Sequence, residues 1–208
     1  MMDALFLAEL NERLFVQFSQ GRWRAPLGQR LLPVRRFDGD RMGRIVCAES
    51  ADLDRALLGL GQGQGVDREA LWAAWEGLCD TARALRAVEG FDDRTQDTPA
   101  EPVLAEAGPM ILLSAADAPL AGLVAVLIAG AEHGVLWKPA PGAAASAHLV
   151  MRALGPLAVG NLALVQGDHA TGAALAGLGP LVWASAGAVP KALCAPLVSL
   201  SARAPRRR

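Results

Sequence analysis

Residues 110–139 read MILLSAADAPLAGLVAVLIAGAEHGVLWKP. Met110–Ser114 and Val135–Lys138 are short and almost wholly apolar, and one helix-length segment, Leu120–Glu132, separates them. A strand with no polar face must be covered on both sides, the condition found inside a parallel sheet with helices above and below. Asp117 and Pro119 cut the apolar run, so a stretch as long as a membrane span divides into a strand and a helix too short to cross a bilayer. The alternation continues downstream. Leu162–Gln166, Leu181–Ser185 and Leu197–Leu200 read as strands, and Ala143–Leu154, Thr171–Leu178 and Ala188–Leu193 as helices. Strict alternation predicts right-handed crossovers and an open α/β sheet with helices on both faces. Such sheets bind ligands beyond the carboxyl ends of their strands. The candidate positions are therefore Ser114–Ala118, Lys138–Gly142, Gly167–Ala170 and Ser185–Gly187.

Upstream the pattern changes. Leu14–Phe18 and Leu31–Arg35 flank turn residues around Gly21 and Pro26–Gly28, which predicts paired strands. A strand near Arg44–Cys47 leads to Ser50, the expected N-cap of a helix running to Leu58. From Asp67 a longer helix carries Leu71, Trp75, Leu78, Ala82 and Leu85 at alternating spacings of four and three, one apolar stripe that should pack on the sheet. Gly59–Gly65 and Phe91–Pro102 read as loops. The division expected is 1–100, strands and helices packing on the sheet domain, and 101–208, the sheet domain itself.

Composition narrows the classes. Apolar residues make up 52% of 208, enough for a buried core and too many for a disordered chain. A formal charge of −1 offers no field for nucleic acid or an anionic membrane. Three cysteines without a C-x-x-C spacing suit a reducing cytoplasm, and three scattered histidines make no metal motif. No secretory signal is evident, because Asp3, Glu9, Asn11 and Glu12 interrupt the first apolar stretch. Lysine occurs only at Lys138 and Lys191.

Several strings resemble, in order, those of the aldehyde dehydrogenase superfamily. Phe15–Trp23 with Pro33-Val34-Arg35 is similar to the family's opening strands, and Ala51–Ala56 to its first helix. Glu101-Pro102-Val103 stands where the family has E-P-x-G-V. Ala118-Pro119-Leu120 matches the end of P-W-N-F-P-L. Val135–Pro139 matches V-x-x-K-P, Asn161–Asp168 resembles N-x-V-x-G-D, and Val182–Lys191 falls at F-T-G-S-x-x-V-G-K. The resemblance implies a five-stranded parallel nucleotide-binding sheet without a G-x-G-x-x-G turn. Gly59–Gly65 does not fit that fingerprint and reads as a flexible loop.

The resemblance also implies a vestigial site for NAD or NADP at Lys138, Pro139, Ser185 and Gly187. In the family the K-P lysine reaches the adenosine ribose or a phosphate. Here Pro141 stands where an acidic or amide side chain normally holds a ribose hydroxyl, and Trp183–Gly187 replaces the pyrophosphate-binding G-S turn with its glycine and hydroxyl shifted. No catalytic residue carries over. Asp117 occupies the place of the oxyanion asparagine, and Ser201 stands near the general-base glutamate. The resemblance ends before the family's nucleophilic cysteine, and Cys47, Cys79 and Cys194 read as buried and unreactive.

The function expected is a non-catalytic accessory or structural partner of a complete aldehyde dehydrogenase, or a self-associating protein. The alternatives are a dinucleotide or adenine-nucleotide binding module and the cofactor-binding half of an NAD(P)-dependent oxidoreductase completed by a partner.

Overall fold

The computed structural model describes residues 14–63, 65–91, 102–103, 108–187, 191 and 201–202. The decisive segment folds as β7 (Met110–Ser114), α3 (Leu120–Gly130) and β8 (Val135–Pro139). It continues through α4 (Ala144–Leu154), β9 (Leu162–Leu164), α5 (His169–Leu175) and β10 (Leu181–Ala184). These four strands are parallel and lie in the order β10-β7-β8-β9. β7 therefore has the next strand in sequence on one side and the last of the four on the other, which makes the β7–β10 boundary the topological switch point.

Alternate residues of each strand serve opposite faces. Met110, Leu112, Val135, Trp137, Leu162, Leu164 and Val182 join a core built with α3, α4 and the long helix α2 (Arg68–Glu89). Ile111, Leu113, Leu136, Ala163, Val165 and Leu181 pack with Leu53 and Ala56 of α1 (Ser50–Leu57) and Leu175 of α5. This two-sided burial is what the unbroken apolar strands require. The stripe on α2 packs as its spacing predicts, with Leu71, Trp75 and Ala82 inside the larger core and Leu85 in a neighbouring cluster. Asp67 caps its start by accepting from the Ala70 N–H at 3.0 Å, and Gly90 at φ +95° ends it.

The amino-terminal strands depart from the expected pairing. Leu31–Arg35 (β4) pairs antiparallel with β5 (Arg41–Val46), not with Leu14–Phe18. Residues 14–19 instead divide between two sheets. β1 (Leu14–Phe15) runs parallel to β5, while β2 (Gln17–Ser19) makes a tight hairpin with β3 (Arg22–Arg24) and joins the large sheet beside β9. The four parallel strands thus gain a hairpin whose first strand is antiparallel to β9, giving the order β10-β7-β8-β9-β2-β3. The expected fifth parallel strand, Leu197–Leu200, and the helix over Ala188–Leu193 lie outside the described residues, Lys191 excepted. A two-residue strand β11 (Ser201–Ala202) pairs antiparallel with β6 (Pro102–Val103).

Two further readings are corrected. The N-cap of α1 is Glu49, not Ser50, which is already helical. The determinant is Asp52, which is fully buried and accepts from the N–H groups of Leu27 (2.9 Å), Gly28 (3.1 Å) and Glu49 (3.2 Å) and from the Arg55 guanidinium (2.9 Å). Residues 59–63 of the glycine-rich segment form a loop but not a free one: Gly61 donates to the Gly160 carbonyl at 2.9 Å, and Gly63 to Asn161 Oδ1 at 3.0 Å. It leaves the amino ends of β8 and β9, the edge opposite the one where such sheets bind nucleotides. Among the described residues no helix is long and apolar enough to cross a membrane, and no cluster of metal-ligating side chains occurs.

Candidate functional site

The register places three of the sequence candidates side by side. Pro139 on β8 pairs with Ser114 on β7, and Ser114 pairs with Ala184 on β10, so the loops after these strands leave one edge together. The β7 and β10 loops then meet. Ser185 donates its hydroxyl to Asp117 Oδ1 at 3.1 Å and accepts the Gly187 N–H at 2.9 Å. A Cβ placed on Gly187 would lie 3.8 Å from Asp117 Oδ2. The turn at the switch point is therefore occupied by a carboxylate of the same chain.

Asp117 is held in place from below. Arg86, near the end of α2 and 1% exposed, donates to the carbonyls of Ala116 (2.6 Å) and Ala118 (3.2 Å), the two residues flanking Asp117. Its partner is Glu89, one turn on, at 3.4 Å. Glu89 Oε1 in turn accepts the N–H groups of Ala145 and Ser146, both at 3.0 Å, in the first turn of α4. One buried ion pair thus ties the β7–α3 loop to the start of the helix that follows β8. Burial drives the Glu89 carboxyl up to about 7, against the N–H groups of α4 and the Arg86 charge, which draw it down. Sequence reading missed both residues. The signal was available, because the stripe spacing of α2 carries on from Ala82 and Leu85 to Arg86 and Glu89.

Lys138 lies on the other face of the sheet, packed with α1 and α5. It is 7% exposed and, among the described residues, no hydrogen bond or ion pair involves it. A Cβ added at Gly172 on α5 would stand 3.9 Å from its Nζ. Burial lowers its ammonium to about 8, while Asp168 and Cys47 oppose that fall. Asp168 caps α5 by accepting from Ala170 (3.0 Å) and Thr171 (3.2 Å), and it forms a two-pronged pair with Arg30. The Arg30 bond first, and the two N–H groups as well, hold the Asp168 carboxyl far below the usual carboxylate range. Cys47 is fully buried and its thiol is pushed up by that burial, so it is no ready nucleophile. Cys79, on α2, is half-buried rather than buried. Cys194 lies outside the described residues, and Ser201 pairs with Val103 in the small third sheet.

These residues fit a dinucleotide only in part. An unpartnered buried ammonium at a strand end suits ribose or phosphate oxygens. The switch-point turn does not suit a pyrophosphate, because its hydroxyl is already donated to Asp117 and a second anion would face that carboxylate.

No family model matches the chain, and no curated protein does. Solved structures do. A Δ-pyrroline-5-carboxylate dehydrogenase from Mycobacterium tuberculosis superposes with a TM-score of 0.65 at 16% identity, covering 85% of this chain and 43% of its own. A betaine aldehyde dehydrogenase point mutant from Staphylococcus aureus gives 0.65 at 13% identity, covering 86% and 46%. A putative methylmalonate-semialdehyde dehydrogenase from Sinorhizobium meliloti, complexed with NAD, gives 0.60 at 15%, covering 83% and 45%. The fold is that of aldehyde dehydrogenases, an α/β nucleotide-binding architecture, and the chain spans less than half the length of the solved structures it matches.

Proposed function

We propose that this chain is a non-catalytic, aldehyde-dehydrogenase-like protein that acts as an accessory partner of a complete aldehyde dehydrogenase. The contact between Asp117 and Ser185 is the observation that carries the reading. A carboxylate stands where the family places a neutral oxyanion donor, and a negative group there opposes the charge that develops in acyl transfer. The same carboxylate takes the hydroxyl that a pyrophosphate would need. Meanwhile the features that support a folded dehydrogenase-like surface are intact: the two-sided sheet, the α2 stripe and the Arg86–Glu89 brace. The domain division at about residue 100 and a cytoplasmic setting belong to this proposal.

The test mixes purified chain with a complete aldehyde dehydrogenase from the same cells and reads sedimentation velocity together with NADH production. The expected result is a mixed complex, with no aldehyde oxidation by the chain alone. Aldehyde-dependent NADH production by the isolated chain would overturn the proposal, and so would the absence of any complex. Homo-oligomers that exclude the dehydrogenase would replace it with self-association.

One observation favours a second reading, a module binding an adenine nucleotide. It is the unpartnered Lys138 at a strand's carboxyl end. Titration with NAD, NADP and ATP separates the two, since Lys138→Ala must weaken any such binding at least about tenfold, or about 1.4 kcal/mol, for the lysine to be the contact. A third arrangement, in which this chain supplies cofactor to a partner's cysteine and glutamate, requires Asp117→Asn to raise the activity of the mixture.

A further inference from the structure

Charge is unevenly distributed along this chain. Residues 22–44 hold seven arginines against two carboxylates, Asp38 and Asp40, although the whole chain carries −1. β4 and β5 gather three of those arginines on one face. The register sets Arg35 opposite Arg41 and Pro33 opposite Arg44, and all four residues are exposed. Leu31 extends the face at 53% exposure, and Phe37 stands at the hairpin tip at 72%. The other face is closed: Val34, Met42 and Ile45 are buried in a cluster with Leu85 of α2 and Ala144 and Ala145 of α4. The Phe37 N–H donates to the Val88 carbonyl at 3.2 Å, which fastens the hairpin to the end of α2. The face is therefore held in one shape before anything binds it.

Like charges directly opposite each other on paired strands repel. Arg36 meets Asp38 and Arg30 meets Asp168, but among the described residues no carboxylate pairs with Arg35, Arg41 or Arg44; Arg35 donates to the Gly39 carbonyl at 2.8 Å. We infer that this face is a docking surface for an extended acidic segment of a partner protein. Each guanidinium presents a flat fork of donors that matches a carboxylate. Strand geometry sets the spacing, because positions two apart repeat at about 7 Å both on a strand and on an extended peptide laid along it. Carboxylates two residues apart thus meet the Arg35–Arg41 row and then Arg44, and an apolar side chain two residues further on meets Leu31. Pro33 lacks the N–H that a further strand would need at the β4 edge, so the segment covers the face instead of extending the sheet. A phosphate surface, whether lipid or nucleic acid, fits less well: it is continuous, so it would also meet Asp38 and Asp40 beside Phe37. The inference does not require the partner to be a dehydrogenase, and so stands apart from the accessory reading.

The probe is a synthetic octapeptide with glutamate at its second and fourth positions, leucine at its sixth and serine elsewhere; its twin carries glutamine in place of glutamate. Each is titrated into the isotope-labelled full chain, and backbone amide NMR shifts locate and quantify the binding. The glutamate peptide should shift amides of β4 and β5 and bind at least about tenfold more tightly than its twin. Raising salt from about 0.1 M to about 1 M shortens the screening length from about 10 Å to about 3 Å and should remove most of that preference. Arg41→Gln and Arg44→Gln should each weaken binding at least about threefold. Arg22→Gln, on the edge strand β3, should leave it unchanged. All three positions are exposed, so the variants keep the fold. Equal affinity for the twin, shifts confined to other elements, no shift at all, or Arg41 and Arg44 variants that bind like wild type would overturn the inference. Tighter binding of phosphatidylserine vesicles or of oligothymidylate than of the peptide would overturn it as well.

Discussion

Replacing Glu89 tests how the α2 end supports the crevice. The folded carboxyl titrates at about 7 and its unfolded reference is 4.5. The folded state therefore holds the proton more tightly, and the group's stabilising contribution is fully present below 4.5 and declines as the pH rises through 7. Integrating proton binding over that window gives a fall of about 2 kcal/mol in the wild-type chain between pH 5 and pH 7.5. Glu89→Gln keeps an oxygen for the Ala145 and Ser146 N–H groups but cannot titrate. It should remove this fall while costing about 1 kcal/mol at pH 7.5. Glu89→Ala removes the acceptor of both N–H groups and the carboxylate paired with Arg86, and breaking a buried pair in this way costs about 3–5 kcal/mol. Urea unfolding of the three proteins at the two pH values measures all of this, and taking wild type minus Gln cancels every other titrating group. If that difference is flat or rises with pH, or if Gln costs as much as Ala, the account of this pair is wrong.

Three other changes carry definite expectations. Asp117→Asn removes the carboxylate from the switch-point turn, and calorimetry should show NAD binding about tenfold tighter, or about 1.4 kcal/mol, without any aldehyde oxidation. Unchanged NAD affinity would show that Asp117 does not obstruct the turn. Asp168→Ala removes the cap of α5 and should cost about 1 kcal/mol near neutral pH, with Arg30→Ala costing less; because the folded carboxyl is depressed, the deficit of the Ala variant should shrink as pH falls through and below the ordinary carboxylate range. Gly61→Ala forces a side chain onto φ +79° and to 2.3 Å from the His133 carbonyl oxygen, so thermal melting should report a loss of at least about 2 kcal/mol.

The sheet was legible in the sequence because its strands are local and their burial is complete. Met110–Ser114 matches to the residue, and the strands beginning at Val135, Leu162 and Leu181 start where read. The amino-terminal strands were not, because their pairing is set at long range: six residues, Leu14–Ser19, serve two sheets, and their partners lie as far off as Leu164. The β2–β3 hairpin has a two-residue turn with positive φ at both Gln20 and Gly21, a geometry usually announced by Asn-Gly. Glutamine in the first position concealed it. The place of Lys138 near the end of its strand was legible, whereas the burial of Arg86 and Glu89 was hidden by their charge. Charged residues at i and i+3 on a helix ordinarily face water. Only their alignment with the stripe through Leu85 places them inside.

The central claim is that this dehydrogenase-like fold serves a partner rather than its own chemistry. Affinity capture of the tagged chain from its native lysate, read by quantitative mass spectrometry, addresses it most directly. A complete aldehyde dehydrogenase recovered in stoichiometric amount is the predicted result. Recovery of the chain with nothing above background would contradict the claim.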